Sequence, residues 1–391
     1  MSDETEHTAE SKMEATAAVR PARSKLWKNA LRLVILALVA FGIARSARQA
    51  MRDFQSQQAN LNKQLEALDA EAAAYSHGSA ELQAANEQRE ALLAQRFSLR
   101  QIEPGWLLVA GVLYLAGLAP CWLFWHATLL AMDQRPRLHE SLRAFYLGHL
   151  GKYVPGKALV VVLRAGQIRS PRVDTTVAAC SVFVETLTMM AVGASLAAAI
   201  LLLISRSWWL WLLAVGLMLA AGVPTLPPIF RRVVRMLQLK RLNPRIERAI
   251  AGLSFRLTAI GWLSISVGWV LLGASLWATL RAIPGGAAAM PDLWPAMLLL
   301  TATVTLAMVA GFLSLLPGGV GVRDYLIITL LAAEFGPVFS LCAAILLRLV
   351  WLLSEVLISA ILYGFVPRPP DYADPPNDAD AVHCDPGLQR S

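Results

Sequence analysis

The stretch "GHLGKYVPGKALVVVLRAGQI" (148–168) combines helix-breaking residues with fixed positive charge. It contains Pro155, Gly156, Lys157 and Arg164, yet it lies between apolar runs long enough to cross a bilayer. Proline removes a backbone donor and glycine permits conformations that other residues resist, so a helix is interrupted here. Lipid cannot satisfy the freed backbone groups. We therefore expect this backbone to be buried in protein or to line a wet cavity.

The composition is that of an integral membrane protein. Of the 391 residues, 56% are hydrophobic and only 16% are charged, against about 25% charged in soluble domains. Several runs reach the roughly 20 apolar residues that a span needs. The sequence predicts an all-α, polytopic membrane helix bundle of about seven or eight spans. Basic cytoplasmic loops explain the net charge of +8 better than a nucleic-acid partner does.

The chain divides into five predicted regions. Basic residues before the first apolar run favour a cytoplasmic N-terminus. Residues 46–103 place Leu61, Leu65 and Leu68 at three- and four-residue steps, which predicts an extracytoplasmic helical hairpin; a solvated Ala/Gln-rich linker is the alternative. The regions are a disordered cytoplasmic N-terminus (1–25), a first transmembrane helix (26–45), the outer hairpin (46–103), the transmembrane bundle (104–366) and a disordered tail (367–391).

Apolar runs after the outer hairpin predict the remaining spans. The basic segment 231–256 has a single acid, Glu247, which favours a cytoplasmic position for it. The side of the C-terminus stays open. The predicted spans lie near 106–132, 174–204, 207–229, 257–282, 293–316 and 337–366.

A second interruption, "LPGGVGVRD" (316–324), repeats the order of the first: Pro-Gly, a short apolar stretch, then arginine. Paired interruptions in two halves of a membrane protein indicate a transport site, and a helix restarting after a break suits an anionic group such as phosphate. The alternative is a tight turn at the membrane surface with ordinary cytoplasmic charges. The piece "YLIITLLAAEFG" after it is too short to span. It is half of a re-entrant or broken helix, or it joins the next helix.

Three charged residues lie inside predicted spans: Glu185, Arg348 and Glu355. Each such charge costs on the order of 3 kcal/mol on insertion scales, so these residues are expected to face the bundle interior and to pair. Arg348 and Glu355 are seven residues apart, which strains a direct pair. We expect Glu185 to pair with Arg348 or with an arginine of the Pro-Gly segments. A structural ion pair is the alternative to a substrate role.

Catalytic motifs are missing from the sequence. No HExxH, GxSxG, Walker A or GxGxxG pattern occurs, and no Cys or His spacing suits a metal. We therefore expect no catalytic residue, metal or cofactor. His149, beside the first interruption, is the one candidate for chemistry.

At these residues the chain resembles the transmembrane, flippase-like region of lysylphosphatidylglycerol synthases. The resembling parts are "GKYVPGKALVVVLRAGQI", "SVFVETLTMMAVG", "SLLPGGVGVRDYLIITLL" and "AAILLRLVWLLSEVLISAILYG", within about 106–366. Asp324 stands where the family more often has Glu, and Thr186 where a basic residue often follows the acid. The resemblance implies a bundle that handles polar lipids, without the aminoacyl-transfer domain. It carries over Pro155, Gly156, Arg164, Glu185, Pro317, Gly318, Gly319, Gly321, Arg323 and Arg348.

Three hypotheses follow. The first is translocation of a polar or anionic lipid between leaflets; the second is an enzyme or accessory subunit of polar-lipid or cell-envelope glycan synthesis; the third is a scaffold that binds a protein partner through the outer hairpin. A membrane lipid is the expected partner, and the oligomeric state is open. The predicted headgroup-binding residues are Lys157, Arg164, Arg323, Arg348 and Glu185; the helix-break residues are Pro155, Gly156, Pro317, Gly318, Gly319 and Gly321; and Asp324, Glu355 and His149 are secondary.

Overall fold

The structure is a computed structural model. It describes residues 101–153, 158–204, 208–236, 245–284, 292–314 and 321–368, and before these 59–73, 80–94 and a few single positions from 48 onwards. The predicted N-terminal region (1–25), first transmembrane helix (26–45) and most of the tail therefore lie outside the described residues. The same is true of Pro155, Gly156, Lys157, Pro317, Gly318 and Gly319.

The described part of the chain is all-α, as predicted. Its β content is one isolated bridge between Ser170 and Val173, and 3-10 turns occupy Leu150–Tyr153 and Val223–Thr225. The helices are α1 (Ala80–Ala94), α2 (Pro104–Ala131), α3 (Leu138–His149), α4 (Ala158–Ile168), α5 (Thr175–Ile204), α6 (Trp208–Gly222), α7 (Pro227–Met236), α8 (Arg245–Ala251), α9 (Phe255–Ala282), α10 (Leu293–Leu313), α11 (Val322–Phe335) and α12 (Pro337–Phe365).

Five of these helices are long and apolar enough to cross a membrane: α2, α5, α9, α10 and α12. They establish a multi-pass membrane protein. The predicted span 207–229 differs, because its helix α6 has only 15 residues and ends at Gly222. Pro224 then lies in a 3-10 turn, and Pro227 and Pro228 start α7. Proline is tolerated in the first turn of a helix, but it interrupts a helix when it lies in the interior.

Close backbone contact between α2 and α9 forms the middle of the bundle. A Cβ added at Gly117 of α2 would lie 3.0 Å from the carbonyl oxygen of Gly268 in α9, so the two backbones touch. Small residues at such contacts allow membrane helices to pack without a hydrophobic driving force between them. Large side chains fill the space around this contact, and Trp125, Trp269 and Trp351 are all fully buried.

One end of the bundle collects the basic connections, and we call it the basic end. Met132 after α2, Val177 of α5, Phe230 of α7 and Ile246 of α8 share one apolar cluster there. Several arginines of 231–256 lie on α7 and α8, the helices that contribute Phe230 and Ile246 to this cluster. Arg231 Nε donates to the carbonyl oxygen of Ile250. The opposite end is marked by the bond from the Glu103 N–H to the Ala282 carbonyl, which joins the start of α2 to the end of α9 at 3.0 Å.

The last helix runs toward the basic end. Ser359 Oγ donates to the carbonyl oxygen of Tyr146 in α3 at 3.3 Å. Two residues before α12 ends, the Tyr363 ring lies 5.6 Å from the Arg143 guanidinium. Because α3 begins at the basic end, just after Met132, α12 also ends there.

Part of the predicted outer hairpin lies within the described residues. Residues 59–72 and α1 are helical, and Leu61, Leu65 and Leu68 are buried. Arg89 Nε donates to Asp69 Oδ1 at 2.6 Å, linking the two helical segments. The hairpin itself, its extracytoplasmic position and its use as a partner surface stay predictions.

Candidate functional site

The first interrupted segment is the connection within a pair of short antiparallel helices, α3 and α4, which we call the first helical pair. Their outer ends lie together: Arg172 Nη2 donates to Glu140 Oε1 at 2.7 Å. Near their inner ends the chains approach closely. A Cβ added at Gly151 would lie 2.9 Å from the backbone nitrogen of Val160, and one at Gly148 would collide with the Arg164 side chain.

The inner end of this pair reaches the middle of the bundle. Lys152 Nζ donates to the hydroxyl oxygen of Tyr114 at 3.2 Å and forms an ion pair with Glu355. Tyr114 is the eleventh residue of the 28-residue helix α2, and Glu355 lies ten residues before the end of α12. At 1.5 Å of rise per residue, each is about 15 Å from an end of its helix.

The second interrupted segment connects α10 to α11, which we call the second helical pair. α11 has 14 residues, in agreement with the predicted short helix, and Gly336 separates it from α12 with φ = 78°. Helix α11 runs antiparallel to the first half of α12. Phe335 stacks on Phe339 at 5.9 Å near one end, and Asp324 pairs with Arg348 near the other.

Two aromatic rings lie between the inner ends of the two pairs. The Arg323 guanidinium lies 5.7 Å from the Trp351 ring, and Trp351 stacks on Tyr114 at 4.5 Å. Lys152 Nζ lies 5.8 Å from the other ring, that of Tyr114. Lys152 is also within electrostatic range of both Arg164 and Arg323. The two interruptions therefore bring their cations to one region of the bundle.

Glu185 pairs with an arginine of the first interrupted segment, which confirms one of the two predicted partners. Arg164 Nη1 donates to Glu185 Oε2 at 2.6 Å, and both side chains are buried. The Arg164 guanidinium also lies 4.1 Å from the Phe145 ring. The other predicted partner, Arg348, pairs with Asp324 instead, through a hydrogen bond from Nη1 to Oδ2.

His149 connects this pair to Glu355. Its Nδ1 lies 3.5 Å from Arg164 Nη2, and its Nε2 lies 3.7 Å from Glu355 Oε1. Tyr114 donates its hydroxyl hydrogen to the same carboxylate oxygen. Glu355 therefore pairs with Lys152. It does not pair with Arg348, which agrees with the strain predicted from their seven-residue separation. We call the whole set the central cluster: His149, Lys152, Arg164, Glu185, Arg323, Asp324, Arg348 and Glu355.

The central cluster has more cations than carboxylates. Four cations (Lys152, Arg164, Arg323 and Arg348) face three acids (Glu185, Asp324 and Glu355), which leaves one formal positive charge when His149 is neutral. The Nε atoms of Arg164 and Arg323 are buried and have no hydrogen-bond partner among the described residues. Arg323 reaches Asp324 only at 3.5 Å. A buried excess of positive charge favours an anionic ligand, because unpaired buried charge is costly.

Sequence reasoning missed three residues of this region. It selected Lys157, whereas Lys152 of the same stretch contacts Glu355, and it passed over Tyr114 and Trp351. The sequence signal that could have identified Lys152 was its place in the same stretch as Lys157, on the other side of Pro155. Tyr114 and Trp351 are 237 positions apart (351 − 114), and nothing in the sequence links them. Among the residues that the structure describes, no group of three or more His, Cys, Asp or Glu could hold a metal ion.

Fold and site together define a multi-pass helical membrane protein with a buried cluster of paired charges in its bundle. Residues 94–359, well over half of the chain, match the family Lysylphosphatidylglycerol synthase TM region. The chain belongs to this family. A comparison with curated proteins gives no significant match.

Proposed function

We propose that this protein binds the anionic headgroup of a polar lipid in the central cluster and translocates the lipid between the leaflets. The observation that carries the proposal is the meeting of both helical pairs at Tyr114 and Trp351, with one positive charge in excess. Arginine binds phosphate in two-pronged fashion, and charged residues inside a membrane bundle mark substrate pathways. Membership of a family named for a phospholipid synthase is consistent with a lipid substrate.

We propose further that the inner ends of the two helical pairs reach the middle of the membrane from opposite faces. In this proposal α3 and α4 form a re-entrant pair, whereas α11 is a short helix that returns to the face where the longer α10 begins. The first has its outer ends at the basic end, beside the apolar cluster that holds Met132 and Val177. The second begins with α10, which follows the end of α9 at the opposite end. Interrupted helices that meet near the bilayer midplane are the usual substrate site of transporters built from inverted repeats. This arrangement gives each leaflet one gate to the same cluster.

Binding of the headgroup exchanges one set of ion pairs for another. An incoming phosphate competes with Glu355 for Lys152 and with Asp324 for Arg323. The contact between Arg323 and Asp324, at 3.5 Å, is the longest contact between a cation and a carboxylate in the cluster, except for the one that His149 makes with Glu355. The acyl chains stay outside, along lipid-facing apolar residues such as Val112, Val162 and Tyr325. The headgroup alone then crosses inside protein, where the fixed charges replace its water.

The positive-inside rule gives an orientation for this proposal. Positively charged loops favour the cytoplasm, and the described arginines of 231–256 lie at the basic end. We propose that the basic end is cytoplasmic, together with the N-terminus and the end of α12. Accessibility of single cysteines placed at Arg232 and at Asp292 to a membrane-impermeant thiol reagent tests this orientation: in intact cells only the cysteine at 292 is expected to react.

The test of function is lipid translocation in liposomes that contain the purified full-length chain. Phosphatidylglycerol with a fluorescent acyl chain becomes accessible to a membrane-impermeant quencher when it reaches the outer leaflet. We expect faster loss of protected fluorescence than in empty liposomes of the same composition. Folded protein that moves none of several phospholipids would contradict the proposal. Loss of a lipid species from cells that lack the protein, with leaflet distribution unchanged, would indicate synthesis instead.

A further inference from the structure

A second cationic site lies at the basic end, where α3 meets the end of α12. Arg143 of α3 is 3% exposed, and its Nη1 donates to the side-chain oxygen of Gln167 in α4 at 2.6 Å. The Tyr363 ring lies 5.6 Å from its guanidinium. Gln167 and Tyr363 are both neutral, so these contacts orient Arg143 without neutralising it.

Arg143 differs from the buried arginines of the central cluster in having no acid partner. Arg164 pairs with Glu185, and Arg348 with Asp324. Among the described residues no carboxylate forms an ion pair with Arg143, and its Nε is buried without a hydrogen-bond partner. The nearest acid along α3, Glu140, already accepts from Arg172 and from the backbone N–H of Arg137.

The end of α12 brings a second cation to this side of Arg143. Arg368 is exposed and lies three residues beyond α12 and five positions after Tyr363, whose ring contacts the Arg143 guanidinium; an electrostatic effect of Arg368 on Arg143 agrees with this placement. Two like charges near each other, one of them buried, are unfavourable unless an anion joins them. Tyr363 is two-thirds exposed near the end of a membrane-crossing helix. Tyrosine there typically lies at the level of the lipid headgroups.

We propose that Arg143 and Arg368 bind the phosphate group of a membrane phospholipid, with Tyr363 against the glycerol region of the same lipid. Arginine offers a planar fork of donors that fits phosphate. The exposed Tyr363 gives the lipid access from the side, whereas Gln167 holds the buried arginine in place. This site belongs to the outer end of the first helical pair and is separate from the central cluster. It does not require that the protein translocates lipid.

The test measures retention of added phosphatidylglycerol by the full-length chain in detergent, counted by native mass spectrometry. We expect Arg143→Gln and Arg368→Gln each to lose one retained lipid, with affinity at that site reduced roughly tenfold or more. The matched control is Arg169→Gln, because Arg169 is an exposed arginine one residue beyond α4. It removes the same charge from the same end and should retain lipid as the unmodified chain does.

Arg368→Gln alters an exposed residue and keeps the fold, so a loss of lipid in this variant does not come from misfolding. Three further arms secure the result. Arg143→Lys keeps the buried charge and should retain part of the binding. Diacylglycerol with the same acyl chains should not occupy the site, and its retention at the same level would overturn the proposal. Inorganic phosphate that protects the chain from thermal unfolding as well as the lipid does would identify free phosphate as the source of the bound group. Unchanged lipid retention in both glutamine variants would contradict the site and leave translocation by the central cluster untouched.

Discussion

Lys152 at the inner end of the first helical pair forms an ion pair with Glu355, about 15 Å from the end of α12. Glu355 is 1% exposed, whereas Lys152 keeps 18% of its side chain accessible. The pair therefore has one fully enclosed partner and one that a ligand can approach. This asymmetry is what the exchange of Glu355 for a headgroup phosphate requires.

The Lys152–Glu355 pair should couple energetically. We expect a double-mutant cycle with Lys152→Met and Glu355→Gln to give roughly 1–3 kcal/mol of coupling, because the two groups are in contact in a buried network. Thermal unfolding of the four purified proteins in one detergent measures it. Coupling within error of zero would mean that the contact contributes nothing to folding.

Glu185→Gln should destabilise the protein strongly. It leaves the buried Arg164 without its carboxylate, and breaking a buried pair from one side costs about 3–5 kcal/mol. Glu247→Gln is the control, because Glu247 is an exposed acid of α8 and surface changes usually stay within about 0.5 kcal/mol. Equal unfolding temperatures for the two variants would contradict the expectation.

The two helical pairs carry ion pairs of reversed polarity at corresponding places. In the first, the short helix supplies Arg164 and the following long helix supplies Glu185. In the second, the short helix supplies Asp324 and the following long helix supplies Arg348. The loose internal repeat of the sequence thus has a structural counterpart in how each short helix is held to its long neighbour.

Gly151→Ala and Gly166→Ala should have opposite effects on stability. A methyl group at Gly151 would lie 2.9 Å from the Val160 backbone nitrogen, whereas nothing lies within 4 Å of one at Gly166. We expect a loss of about 1–3 kcal/mol from overpacking at position 151. At position 166, inside α4, we expect a gain of about 0.5–1 kcal/mol. Urea or thermal unfolding compares them, and equal changes would contradict the close approach of α3 and α4.

Gly336→Ala should destabilise the junction between α11 and α12. Gly336 has φ = 78° and ψ = 159°, a region that is essentially restricted to glycine and costs other residues about 1–3 kcal/mol. Gly364→Ala is the matched control, since Gly364 lies inside α12 with nothing within 4 Å of an added Cβ. Unfolding temperature distinguishes them: a stabilised Gly336→Ala protein would mean that α11 and α12 form one helix.

Local pattern predicted much of this architecture. Hydropathy located the five long helices because lipid requires about 20 apolar residues per crossing. Length alone excluded the segment of α11 as a separate span, and it left open whether this segment joins the next helix. Chemistry predicted that Glu185 would pair with Arg348 or with an arginine of a Pro-Gly segment, because a buried carboxylate requires a partner, and the structure shows the second of these pairs.

What the sequence did not predict depends on contacts between distant parts of the chain. Tyr114, Lys152 and Glu355 meet although 241 positions separate the first from the last. Their meeting follows from how deeply the first helical pair enters the bundle. Nothing in the sequence distinguishes Arg143 from the other arginines of the chain. Its burial against Tyr363 depends on α12 returning to the basic end, a direction that hydropathy left open.

The most direct measurement of the central claim compares the rates at which Arg323→Gln and Arg169→Gln translocate fluorescent phosphatidylglycerol in liposomes. Both variants lose one positive charge, but only Arg323 belongs to the central cluster. We expect Arg323→Gln to be at least roughly tenfold slower than the unmodified chain, because the loss of one charged hydrogen bond corresponds to about that factor. Arg169→Gln should match the unmodified chain. A folded Arg323→Gln protein that moves the lipid at the full rate would contradict binding of the headgroup between the two helical pairs.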